Sequence, residues 1–131
     1  METRIACLVL MLFTMFCAAS GPPVPTQKAS HKMLCDMVVN AINARNWNFL
    51  RKITTEEMTG ASYIGSWEKH PVHIGKLIKV ENDIQWNGVT CTPYSFAMEY
   101  VDGKPHPHWL QIMLHEEGDR LTIVNFWEFG W

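Results

Sequence analysis

Two pairs of histidines are the residues whose type and spacing could do chemistry. His106 and His108 stand one residue apart in "DGKPHPHWLQIML", and His70 and His73 stand close together in "KHPVH". Residues i and i+2 of a strand point to one face, so His106 and His108 can present two imidazole nitrogens together. Zinc takes three or four protein ligands, so such a site would have to be completed by His70 and His73. Pro105 and Pro107 argue against it. Proline cannot donate to a β-ladder and is confined to edges, strand starts and turns. The segment is therefore expected as a solvated hairpin connection entering a strand, with no metal or cofactor, and His106 and His108 are the ligands only in the rival reading.

A second chemical pattern is the setting of polar groups into apolar rows, which is how small-ligand pockets are lined. Trp109, Gln111, Met113 and His115 alternate along one expected strand. Tyr94, Phe96 and Met98 do so along another, and Asn125 and Trp127 along a third. These nine residues are the expected ligand pocket. An isomerase-like enzyme would need a carboxylate base in an apolar cavity and a donor to a developing oxyanion. Asp83, Glu99 and Glu128 fall on the faces opposite these rows. His115 is then the residue able to act as a base near neutral pH. Non-catalytic binding of a small apolar ligand is the primary expectation, and an isomerase- or dehydratase-like enzyme using a pocket histidine or acid is the alternative.

The elements that must position these residues are legible in the hydrophobic pattern. Leu34, Val38, Ala41 and Ile42 share a helical face, with Met33 and Met37 beside them and Ser30 as the expected N-cap. "NARN" at 43–46 ends that helix, and Trp47, Leu50 and Ile53 mark a second, shorter one. "TTEEM" reads as a capped helical turn. "ASYIGSW" reads as a short strand. From Ile74 the period becomes two: Ile78, Val80, Ile84 and Trp86 alternate with polar residues up to Asn87-Gly88, a strong hairpin signal. Asp102-Gly103 and Glu117-Gly118-Asp119 turn the chain twice more. The expected fold class is α+β, with N-terminal helices packed on a curved, mainly antiparallel sheet of four to five strands.

The beginning "METRIACLVLMLFTMFCAAS" has a basic residue, an apolar run and a small-residue end, the pattern of a secretory signal over 1–20. Its apolar run is short of the roughly 20 residues that cross a bilayer. Secretion is expected, with no membrane span after cleavage. Residues 21–27 form a proline-rich leader, and 28–131 a single domain. A net charge of −2, with no basic stripe, excludes nucleic acid as an expected partner. Cys35 and Cys91 remain beyond the signal. In an oxidising compartment they are expected to form a disulfide, the other reading being two separate buried thiols. "NFWEFGW" makes both faces of the last strand apolar, which points to a homodimer or a protein partner through the sheet.

This order of elements resembles the superfamily of nuclear transport factor 2-like domains, which share a cystatin-like α+β fold. The features that carry the resemblance are the long first helix, the link "ARNWNFLRKI-TTEEM", and the long C-terminal strands. The resemblance implies a curved sheet wrapped against helices around an apolar pocket, in a superfamily of both enzymes and binding or dimerising modules. The segment before Ile74 is short, so the family's third helix is expected to be reduced to a turn. Cystatins are a rival of similar shape, but their Gln-x-Val-x-Gly loop has no counterpart here.

Overall fold

The computed structural model describes residues 27–130. The expected signal peptide at 1–20, the leader apart from Gln27, and Trp131 lie outside the described residues. Among the described residues three helices precede five strands: α1 Ala29–Asn43, α2 Trp47–Ile53, α3 Gly60–Lys69, β1 Val72–Val80, β2 Ile84–Trp86, β3 Val89–Tyr100, β4 Pro105–Glu117 and β5 Arg120–Phe129. The architecture is α+β. The curled sheet is antiparallel in the order β1-β3-β4-β5, and β2 pairs with the early part of β3.

α1 buries His31, Cys35, Val38, Ala41 and Ile42. Positions 31, 35, 38 and 42 advance by four, three and four residues, which is one stripe of a helix. Val38, Ala41 and Ile42 are buried as expected and Leu34 packs against the core, but Met33 and Met37, expected beside them, are 71% and 42% exposed. Ser30 does not cap the helix, which starts after Lys28 without a side-chain cap. At its other end the chain enters the left-handed region at Arg45, and Asn46 Oδ1 accepts the Phe49 N–H to open α2. Asn43 ties this corner to the sheet. Its amide donates to Ile74 O at 2.9 Å and its Oδ1 accepts from Ile74 N at 2.7 Å, as a neighbouring strand would.

"ASYIGSW" is helical, not a strand: it forms most of α3, whose buried residues Gly60, Ile64 and Trp67 have helical spacing. The third helix is thus a full element of ten residues where a turn was expected. Its first turn lies directly on β5. A Cβ at Gly60 would stand 2.3 Å from Phe126 O and 2.7 Å from the Phe126 ring. Only glycine permits that approach. The expected strand through Ile78 and Trp86 is also divided. β1 starts earlier, at Val72, and Glu81–Asp83 leave the ladder before β2. The Asn87-Gly88 turn forms as expected, with φ of 49° and 82°.

Strand alternation assigns the two faces of the sheet. Toward the helices point Tyr94, Phe96, Met98, Leu110, Ile112, Leu114 and Phe126, packed with Val38, Ile42, Leu50, Ile64 and Trp67 in one core. Each fully buried large apolar side chain contributes about 1.5–3 kcal/mol. Pro93, Ser95, Gln111 and Met113 belong to the opposite face by their pairing (Pro93 with Met113, Ser95 with Gln111). There Trp86 of the β2–β3 hairpin meets Trp127 edge-on at 5.3 Å.

The expected disulfide is absent: Cys35 and Cys91 are both buried free thiols. Cys35 belongs to the core between helices and sheet. Cys91 has the parity of Pro93 and Ser95, so the sheet lies between the two sulfurs. Burial pushes the Cys35 thiol up to about 12 and raises that of Cys91 as well.

Candidate functional site

A cleft of about 650 Å³ opens where the start of α1 crosses the β1–β2 loop and the adjoining ends of β3 and β4. Lys28, His31, Glu81, Asn82, Asp83, Thr90, Thr92, Tyr94 and Glu116 line it, with Val80. At its back is a chain of three side chains from three elements. His31 Nδ1 lies 2.6 Å from the Tyr94 hydroxyl, and His31 Nε2 lies 3.0 Å from Glu116 Oε2. A carboxylate oxygen only accepts, so Nε2 carries a proton toward Glu116. In the neutral ring Nδ1 then accepts, and Tyr94 donates to it. Lys28 Nζ reaches the same Glu116 oxygen at 3.1 Å.

The electrostatics follow from these partners. The hydrogen bond from His31, and then that from Lys28, hold the Glu116 carboxyl below the usual carboxylate range. Burial pushes the Tyr94 hydroxyl up to about 12, assisted by Cys35, Asp83 and Glu116 when ionised. Tyr94 therefore stays protonated at neutral pH, donates a hydrogen bond to His31 Nδ1, and presents oxygen lone pairs for a further bond. Across the cleft Thr92 Oγ1 donates to Asp83 Oδ1 at 2.7 Å, and Glu81 pairs with Lys79 at 3.2 Å. The walls are rich in acceptors, with three carboxylates against one lysine.

Of the nine residues expected to line one pocket, only Tyr94 borders this cleft. Phe96 and Met98 lie in the packed core. Trp109, Gln111, Met113 and Trp127 belong to the opposite face, where the Trp127 indole donates to Gln111 Oε1 at 2.8 Å. Asn125 is fully buried beside a bulge at Val124, where its amide holds α3: Oδ1 accepts from Gly60 N at 3.3 Å and Nδ2 donates to Thr59 Oγ1 at 3.1 Å. His115, the base of the alternative enzyme reading, donates from Nδ1 to Thr90 O at 2.7 Å and lies outside the cleft's lining. One strand's register decided most of these placements, since alternate residues of β4 go to different faces.

Sequence reasoning missed His31, Lys28 and Glu116. The available signal was the helical stripe 31-35-38-42, which places a histidine one turn before Cys35 on an otherwise apolar face. Glu116 carried no signal, because its role depends on α1 arriving beside the end of β4.

The first histidine pair lies at the entry to a strand, as expected, but within the strand and not in the connection before it: His106 and His108 belong to β4 itself. The pairing runs from Ala97 with Trp109 to Glu99 with Pro105, so one β3 residue faces three of β4. This bulge accommodates Pro107, which has no N–H to give the ladder. Glu128 was expected to face away from the apolar rows. It lies on the helix-covered face, pairing with Leu110, only 14% exposed and bonded to His108. His70 ends α3, and His73 of β1 is exposed opposite Glu99.

The chain matches no protein-family model, no curated protein and no solved structure. What it does must come from its own geometry. No helix among the described residues is long and apolar enough to cross a membrane.

Proposed function

We propose that this protein is a secreted, non-catalytic binding domain of the nuclear transport factor 2-like kind, and that its ligand occupies the cleft bounded by His31, Tyr94, Asp83 and Glu116. The signal-like beginning supports secretion, and the order of helices and bent strands supports the fold family. The observation that carries the reading is the Tyr94–His31–Glu116 chain at the back of the cleft, a set of polar groups with fixed donor directions.

The ligand class differs from the apolar one that the sequence suggested. Tyr94 offers lone pairs, Asp83 and Glu81 offer carboxylate oxygens, and Lys28 is already committed to Glu116. Such walls suit a small molecule that donates hydrogen bonds: an amine, or a hydroxylated compound bearing one. Native mass spectrometry of the protein secreted from a eukaryotic host tests this directly. The expected result is a bound hydrogen-donating small molecule, lost in Asp83→Asn and in Tyr94→Phe. A purely apolar ligand whose binding is indifferent to both substitutions would overturn it.

One observation favours a second reading, an enzyme that transfers a proton. Tyr94 and Glu116 share a histidine, so a proton taken from a ligand at Tyr94 has a path to His31. Solvent deuterium appearing in a recovered ligand would select this reading over simple binding. The aromatic face bearing Trp109, Trp127 and Phe129 supports in addition a partner protein or a second copy.

A further inference from the structure

His106, His108 and Glu128 form a cluster at the other end of the helix-covered face. Each offers a ligand atom, and these atoms lie within 4.8 Å of one another. The geometry points to a site for one divalent transition-metal ion of the zinc class, held by these two imidazoles and one carboxylate. The site lies apart from the cleft at Glu116 and does not rest on the function proposed for it.

The backbone builds the cluster. The β4 bulge around Pro107 brings the two histidine rings to 5.3 Å, and β5 delivers Glu128 to the same face. His108 Nδ1 and Glu128 Oε2 are 3.1 Å apart, the separation of two neighbouring ligands each about 2.0–2.1 Å from a common ion. The ion takes the place of the proton that this pair now shares, and that proton goes to solvent. His106 joins once the hydrogen bond that its Nδ1 accepts from His108 N is released.

The surroundings orient the ligands as they do around known metal centres. The Trp67 indole donates to Glu128 Oε1 at 2.6 Å, which leaves Oε2 for the ion. The Tyr100 ring packs on His106 at 4.7 Å. Gly130 lies so close to His108 that a Cβ there would stand 2.2 Å from its ring. Two neutral imidazoles and one carboxylate carry a net charge of −1, suited to a dication. The nitrogen-rich donor set favours zinc, copper, nickel or cobalt over calcium and magnesium, which take oxygen. His106 and Glu128 also line a cleft of about 570 Å³, so the ion would keep an open coordination position. Three protein ligands with an open position is the catalytic arrangement of zinc, whereas structural sites close with four.

Titration of the full chain with zinc chloride alone, followed by calorimetry and native mass spectrometry, tests the site. One zinc per chain is expected. Trp67→Phe, which keeps an aromatic ring but removes the donor to Glu128, should weaken zinc binding about 10-fold. His106→Ala and His108→Gln should weaken it by more than that. His106 makes no bond to a helix, so His106→Ala remains folded by circular dichroism and keeps the test readable if Glu128→Gln destabilises the protein. Cobalt substituted for zinc should give visible absorption that vanishes in His106→Ala. Zinc bound with the same affinity by wild type and His106→Ala, or no stoichiometric zinc on the folded wild type, would overturn the site.

Discussion

The Tyr94 hydroxyl and His31 Nδ1 meet at 2.6 Å between the sheet and the first helix, 63 residues apart in the chain. Both residues are 3% exposed, and the ring of one stands edge-on to the other at 5.6 Å. This contact joins the core to the cleft, because His31 continues from Tyr94 to Glu116.

Removing the hydroxyl leaves a buried ring nitrogen without its partner. Tyr94→Phe is therefore expected to destabilise the fold by about 1–3 kcal/mol, although the ring and its packing are retained. Urea denaturation with unchanged m-value checks this. His31→Leu in the Tyr94→Phe background should recover part of the loss, since both partners are then apolar.

Glu116 gives a pH dependence of known sign. Its folded pKa is depressed from 4.5 by His31 and Lys28, so the stabilisation is present above the unfolded value and is lost as pH falls through the folded one. Thermal melts should show this loss below about pH 4.5. In Glu116→Gln that part of the acid dependence should disappear. The pair is solvent-exposed on the Glu116 side, so added salt should reduce the effect.

Both thiols should resist alkylation in the native protein at pH 8. Cys35 is fully buried and its thiol is pushed up to about 12, so thiolate is scarce as well as inaccessible. Peptide mapping after denaturation without reductant should find Cys35 and Cys91 both labelled. Recovery of a Cys35–Cys91 linked peptide would contradict the placement of the two sulfurs on opposite sides of the sheet.

Gly60→Ala should cost about 1–3 kcal/mol or more, because its Cβ has no room against Phe126. Gly65→Ala, in the same helix with open space around it, should be neutral or stabilising by up to about 1 kcal/mol. Comparison of the two melting temperatures separates crowding from helix propensity.

The sequence by itself determined the fold class, the first two helices, the Asn87-Gly88 turn and the alternating strands, because these follow from local periodicity and turn chemistry. "ASYIGSW" escaped it, since apolar residues at 61, 63, 64 and 67 in so short a stretch satisfy strand and helix patterns alike, and only the packing of Gly60 and Trp67 on Phe126 displays the helical face. The candidate sites were decided by tertiary structure. His31 and Glu116 are 85 residues apart, and His108 and Glu128 are 20 apart on neighbouring strands. Pairing register and bulges settle whether such residues meet, and a shift of one residue sends a side chain to the other face. The bulge at Pro107 turned two histidines of a supposed connection into neighbours of a carboxylate. No local pattern encodes that displacement, because it depends on how β3, β4 and β5 share their hydrogen bonds.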